Sequence, residues 1–146
     1  RSVADPVYLP DVNILVAAHL DTSPFHQLAR SWLHQASHFA TTPITETGML
    51  RILMAPLPMP AVSRDDALLA LHRLRGRAAH QFWSDHVSLS SPVIDLRGLL
   101  GHKQIVDYHL VNLAAHYGGV LATLDAKIER SLTPSARRHV LTLNSH

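Results

Sequence analysis

The stretch HKQIVDYHLVNLAAHYGGVLATLD, His102 to Asp125, decides the fold. Val106, Leu110, Leu113, Ala114 and Tyr117 recur at helical spacing, so a helix from about His102 to Tyr117 has one face against a core. Gly118-Gly119 ends it, because glycine takes the left-handed C-cap conformation at little cost. Val120 to Thr123 then reads as a short buried strand with Asp125 just past its end. Ala126 to about Leu132 returns to helix. Helix, glycine turn, apolar strand and helix are the parts of a crossover unit in a parallel sheet.

Working outward, the same alternation continues. Val7-Tyr8-Leu9 is a short strand ending at Pro10-Asp11, and Asn13 to Leu20 a brief helix. Ser23-Pro24 predicts the start of another helix, with Phe25, Leu28, Ala29, Trp32 and Leu33 on one face. His38 to Thr41 makes a second strand. Thr42-Pro43 opens a helix to about Met54, and the prolines from Ala55 to Pro60 force a loop. Ser63 caps a helix striped by Ala67, Leu68, Leu71 and Leu74. Gly76 to Trp83 is ambiguous, Val87-Ser88-Leu89 suggests a strand, and His139 to Leu143 is a final strand. The expected class is α/β, a three-layer α/β/α sandwich on a mostly parallel sheet, with residues 1–146 as one domain.

The chain has 146 residues, of which 47% are hydrophobic and 16% charged, enough for a packed core without staples. Cysteine is absent, which removes disulfides, thiolate nucleophiles and Cys-based zinc sites and suits a reducing, cytoplasmic setting. No apolar run is long enough to span a bilayer, and Arg1 to Pro6 lacks the apolar stretch of a secretion signal. Net charge is +2, and eleven of the thirteen Lys and Arg residues are Arg, a bias that suits phosphate but equally follows from genome composition.

Acidic residues number eleven, two of them Glu, and most fall in bland places. Asp65 and Asp66 favour a helix dipole, Glu129 lies among Lys127 and Arg130, and Asp5, Asp21, Asp85 and Asp95 occupy turn-like contexts. Four remain. Asp11 and Asp125 each follow a strand, Glu46 lies in the first turn after strand two, and Asp107 sits early in the helix feeding strand Val120–Thr123. In a parallel sheet these positions share one rim, beyond the carboxyl ends of the strands. Clustered carboxylates repel one another unless a cation neutralises them. A hard divalent ion such as Mg²⁺ or Mn²⁺ accepts such ligands and suits phosphodiester cleavage.

Four motifs carry a resemblance over almost the whole chain. LPDVNIL at Leu9–Leu15 resembles the opening Asp-x-Asn motif of PIN domains, and TPITE at Thr42–Glu46 their second motif. HKQIVDYHL at His102–Leu110 is similar to the third, and LATLD at Leu121–Asp125 to the fourth. Val106 stands where a hydroxyl residue is common, and Leu124 where an aromatic is common. The compact length most resembles VapC-type toxins. That resemblance implies a Mg²⁺- or Mn²⁺-dependent endoribonuclease cutting structured RNA such as tRNA. It also implies a VapB-type antitoxin and a homodimer. Asp11, Glu46, Asp107 and Asp125 would be the catalytic and metal-holding carboxylates, and Asn13 and Thr123 would position them.

Two rival classes remain. A non-catalytic PIN-like module would bind RNA or protein through the same fold. An aspartyl-phosphate phosphotransferase also places Asp after strand one, but usually with a second acid where Asn13 stands. Elsewhere, His102, His109 and His116 lie about 10 Å apart in succession, too far for one metal, and read as a polar helix flank. Arg73, Arg75 and Arg77 with His72 and His80 suit either RNA phosphates or a solvated helix end. Arg51 could reach a substrate at the rim, and Trp32, Phe82 and Trp83 could stack on bases or pack inside.

Overall fold

The structure is a computed structural model that describes residues 5–56 and 60–144. Strands β1 (Tyr8–Pro10), β2 (Phe39–Thr41), β3 (His80–Phe82), β4 (Val120–Thr123) and β5 (Val140–Thr142) form one sheet in the order β3-β2-β1-β4-β5. Every pairing is parallel. Helices α1 (Val12–His19) and α2 (His26–Gln35) connect β1 to β2, and α3 (Pro43–Met54) and α4 (Arg64–Arg75) connect β2 to β3. The chain then returns through an irregular stretch, 83–101, and a 3₁₀ turn (His102–Gln104) into α5 (Ile105–His116), which feeds β4. Helices α6 (Ala126–Ser131) and α7 (Pro134–Arg137) lead to β5.

Alternation along the strands builds the two cores. Leu9, Ala40 and Leu121 face a core with Tyr108, Leu110, Leu113 and Ala114 of α5. Their neighbours Phe39 and Ala122 face the opposite core, with Ile14 and Leu15 of α1 and Met49 of α3. The central strands β1, β2 and β4 are therefore buried on both sides, which is why they read as continuous apolar runs. The three-layer α/β/α expectation holds, and the sheet is wholly parallel.

Local expectations fare unevenly. Ser63 caps α4, its hydroxyl accepting from the Asp66 N–H, and Gly118 takes φ +70° at the close of α5. The third strand is not Val87–Leu89 but His80–Phe82, the stretch that sequence left ambiguous. It is an edge strand, half-buried at His80 and exposed at Gln81 and Phe82, so it lacks an apolar signature. Val87–Leu89 finds no partner strand, and Ser88 instead opens a turn, its carbonyl accepting from the Ser91 N–H. Helix α2 begins at His26, not at Ser23, whose hydroxyl accepts from the Phe25 N–H one turn early. Helix α7 is an addition. The middle of the proline loop, 57–59, and the first four residues lie outside the described residues.

Strands β1 to β3 march one way across the sheet, and β4 and β5 the other, so the order reverses between β1 and β4. In open parallel sheets the ligand crevice lies beyond the strand carboxyl ends at such a reversal. Asp11 follows β1 and Asp125 follows β4, one on each side of that crevice.

Candidate active site

Backbone and side chain together fix Asp11. The Asp11 N–H donates to the Ala122 carbonyl of β4 at 2.7 Å, so the carboxyl end of β1 is pinned to its neighbour. Asp11 then caps α1, one carboxylate oxygen accepting from the Val12 N–H at 2.7 Å. Its other oxygen accepts from the Thr123 hydroxyl at 3.0 Å. Thr123 is fully engaged, because the same hydroxyl accepts from the Asn13 amide at 3.2 Å and the Asp125 N–H at 3.1 Å. Asn13 closes the ring by accepting from the Leu124 N–H. Asn13 and Thr123 thus make a short polar lattice across the switch point, with the hydroxyl donor and both acceptor positions used.

Asp125 caps α6 and accepts from the Lys127 N–H at 2.9 Å. Asp107, half-buried in the first turn of α5, has no hydrogen-bond or ion-pair partner among the described residues. Burial pushes its carboxyl up from the ordinary 3.8 to about 6, and the charges of Asp11 and Asp125 push the same way. Burial likewise raises Asp11, against the lowering effect of the Thr123 and Val12 hydrogen bonds, and Asp125 adds to the rise. These three carboxylates therefore feel one another, and none has a Lys or Arg within ion-pair distance among the described residues.

Glu46 stands apart. Its carboxylate accepts from the Thr41 hydroxyl at 2.6 Å and pairs with the Arg75 guanidinium, both on the same oxygen. Thr41 is in turn 2.7 Å from the His80 Nε2, and His80 has its pKa lowered by burial and by Arg75, with Glu46 opposing. Arg75 also lies over the exposed Phe82 ring. Sequence reasoning placed Glu46 at the rim but missed Thr41, His80 and Arg75 around it. Only the pairing of β2 with β3 brings them together, and β3 was not legible.

Among the described residues no three His, Cys, Asp or Glu side chains converge closely enough to share one ion directly. The donor set still fits a hard divalent cation. Mg²⁺ keeps several waters and takes one or two carboxylates directly, and three mutually repelling acids without a basic partner form a negative field that such an ion relieves.

Two clefts flank the acids. One of about 470 Å³ lies between α3 and α5, lined by Asp11, Asp107, Ile44, Arg51 and Ile52. The exposed Arg51 therefore does border the acids, as its rim position suggested. The other, of about 520 Å³, lies beside Asn13 and Asp125 and is lined by Phe25, Ile52, Leu124 and Lys127.

Other candidates resolve into structure. Trp83 is buried and stacked on Tyr117 at 4.4 Å, and Trp32 packs edge-on to Tyr8, so neither is presented to a base. Arg77 lies over Phe39 and donates to the Leu33 carbonyl. His109 faces Asp85 at 2.7 Å and His116 faces His86 at 3.1 Å, so the His row along α5 binds the 83–86 stretch to the helix and shares no common centre.

Comparison with known proteins agrees with this fold. Residues 8–131 match the PIN domain family. Ribonuclease VapC39 of Mycobacterium tuberculosis is 37% identical over 131 residues, spanning 84% of this chain and 91% of that protein. The crystal structure of Mycobacterium tuberculosis VapC20, a Sarcin-Ricin loop cleaving toxin, superposes with a TM-score of 0.58 over 85% of this chain and 94% of its own, at 13% identity. VapBC2 from Rickettsia felis, solved bound to a DNA fragment from its promoter, gives the same score over 94% and 99% at 14% identity. By the family match over residues 8–131 and these relatives, the chain belongs to the PIN-domain family, in the company of the VapC ribonucleases.

Proposed function

We propose that this chain is a divalent-metal-dependent endoribonuclease and the toxin of a VapB–VapC pair. The observation that carries this reading is the set of Asp11, Asp107 and Asp125 at the β1/β4 switch point, mutually repelling and without a basic partner among the described residues. Relatives named as ribonucleases support the reaction class, and a neighbour solved as a VapBC assembly supports an antitoxin partner. The substrate class is structured RNA such as tRNA, whose cleavage stops translation, and the working form is a homodimer in the cytoplasm.

Asp11, Asp107 and Asp125 would hold Mg²⁺ or Mn²⁺, in part through its bound waters, with Glu46, held at the β2 end by Thr41 and Arg75, as the fourth carboxylate. The bound ion would supply Lewis acidity at the phosphodiester; in-line attack of water forms the new P–O bond as the bond to the 3′-oxygen breaks, and that oxygen takes up a proton, giving 5′-phosphate and 3′-hydroxyl. Thr123 aims Asp11 by donating to it and favours its ionised form against the effect of burial, and Asn13 holds Thr123 in that rotamer. Arg75 fixes Glu46, and the exposed Arg51 gives the negative cleft a cation to meet a phosphate.

The test is cleavage of total cellular RNA by the purified chain with EDTA, with Mn²⁺ restored, and with Asp107→Asn. Cleavage is expected only with metal and wild-type Asp107, with a loss of at least roughly a hundred-fold in the variant, the scale of removing one electrostatic stabiliser. Mapped 5′ ends name the RNA. Undiminished cutting by Asp107→Asn would remove the site. One observation favours a second reading, a binding module without catalysis: Arg75 already neutralises Glu46. RNA binding without cleavage in any metal would favour that module.

A further inference from the structure

Phe25 is an aromatic that the fold does not use. Sequence spacing assigned it to the buried face of α2, yet the helix starts one residue later and the ring is 42% exposed. It belongs to neither core cluster. The turn before α2 holds it in place, its N–H donating to the Ser23 hydroxyl at 3.1 Å. This ring lines the 520 Å³ cleft that also includes Asn13 and Asp125, so anything seated there lies against the acid site. Lys127 lines the same cleft, exposed and without a carboxylate within ion-pair distance among the described residues.

Ile52 lines both this cleft and the one containing Arg51, Asp11 and Asp107, so the two adjoin at that side chain, with Asp125 on one side and Asp11 and Asp107 on the other. A single-stranded polyanion crossing three carboxylates needs cations on either side. Arg51 supplies one on the α3 side and Lys127 one on the α6 side. Aromatic rings beside such cations stack on splayed bases with little regard to sequence, and the volume is ample for one nucleotide.

We propose that the Phe25–Lys127 cleft is a nucleotide subsite, in which an unpaired base next to the cleaved linkage stacks on Phe25 while its phosphate meets Lys127. The proposal rests on the ribonuclease reading above and narrows it: the chain selects linkages flanked by an unpaired nucleotide. A peptide segment of a protein partner is the competing occupant. Adjacency to Asp125, and a Lys127 with no ion-pair partner among the described residues, favour the nucleotide.

The experiment measures binding of a fluorescein-labelled, eight-nucleotide single-stranded RNA of mixed sequence, and of the same RNA fully paired, by anisotropy. The full chain carries Asp107→Asn to prevent turnover, and Phe25→Ala, Phe25→Trp and Lys127→Ala are compared in that background. Phe25→Ala is expected to weaken single-strand binding on the order of ten-fold. Phe25→Trp should retain binding, with the new indole quenched by RNA. Lys127→Ala should lower the slope of log K against log salt by about 0.7. The paired RNA should bind more weakly and ignore all three changes.

Binding of the single strand that is unchanged in Phe25→Ala and unquenched in Phe25→Trp would overturn the subsite and leave the cleft to a protein. A parent protein with no affinity for single-stranded RNA would overturn it too. The two readings fail separately. A chain that cuts RNA with metal but ignores Phe25 loses only the subsite, whereas one that never cuts RNA yet binds it through Phe25 loses only the nuclease assignment.

Discussion

Two acidic corners share the rim of this sheet and are handled in opposite ways. At the β2 end, Glu46 is answered by the protein itself through Thr41 and Arg75. At the β1/β4 switch point, Asp11, Asp107 and Asp125 have no basic partner among the described residues, and Asp107 is pushed to about 6. Paired charge is a finished structural element, while unpaired charge in a half-buried place costs stability unless something from outside supplies the cation. The contrast teaches which acids a fold keeps for itself and which it leaves open to a ligand. It is open to experimental attack at both corners.

Thr123 gives the largest effect short of removing an acid. Thr123→Val keeps the shape of a fully buried side chain but deletes the donor to Asp11 and the acceptor for Asn13 and Asp125. Loss of the hydrogen bond that lowers Asp11 sends that carboxyl still higher. Activity should fall by about ten- to a hundred-fold, as for a group that orients a metal ligand, and stability by about 2 kcal/mol. Cleavage rate and urea unfolding of the same preparation check this. A variant with full activity would show that the switch-point lattice is ordinary packing.

Sequence alone made the switch-point corner legible and the other corner half so. β1 and β4 are short and mostly buried, and α5 buries Tyr108 and Leu110 to Ala114; their ends are fixed by Pro10, Gly118 and Gly119, so the positions of Asp11, Asp107 and Asp125 follow from counting. The Glu46 corner depends on β3, an edge strand of His80, Gln81 and Phe82 held by pairing with β2. Its side chains face solvent or Thr41, so no periodicity announces it. Arg75 was visible only as one of three arginines in a basic stretch. Nothing local distinguishes the one that meets Glu46 from Arg77, which meets a carbonyl and a ring. Phe25 was misplaced for a similar reason, since Ser23-Pro24 carries a helix-start signal that here makes a turn first.

The pH dependence of stability separates the corners next. Asp107 holds its proton more tightly folded than unfolded, so from about pH 4 to about pH 6 the folded state binds more protons and stability falls as pH rises. Above pH 6 the penalty is fully present. Asp107→Asn should therefore stabilise the metal-free protein at pH 7.5 by about 1 kcal/mol, after discounting for the half-exposed site, a rise in melting temperature of about 2–4 °C. At pH 4 the gain should vanish. Mg²⁺ should raise the melting temperature of the wild type at pH 7.5 and do much less for the variant. A variant less stable than wild type at pH 7.5 would mean that Asp107 has a structural partner after all.

Arg75 gives the smallest effect and the sharpest distinction. Its guanidinium side chain is 41% exposed while Glu46 is largely covered, so the pair belongs with surface ion pairs. Arg75→Gln should cost about 0.5 kcal/mol, less at high salt, as melting curves at two ionic strengths would record. It also leaves the Glu46 carboxylate with Thr41 as its remaining donor. If Glu46 helps hold the ion, the Mn²⁺ concentration giving half-maximal cleavage should fall by a factor of about two to five, since a positive charge has left the rim. An unchanged midpoint would reduce the ion's ligands to the three aspartates and leave Glu46 as a strut between β2 and α4. A collapse of activity without a shift in the metal midpoint would place Arg75 on the substrate instead, and the two corners would then be one site.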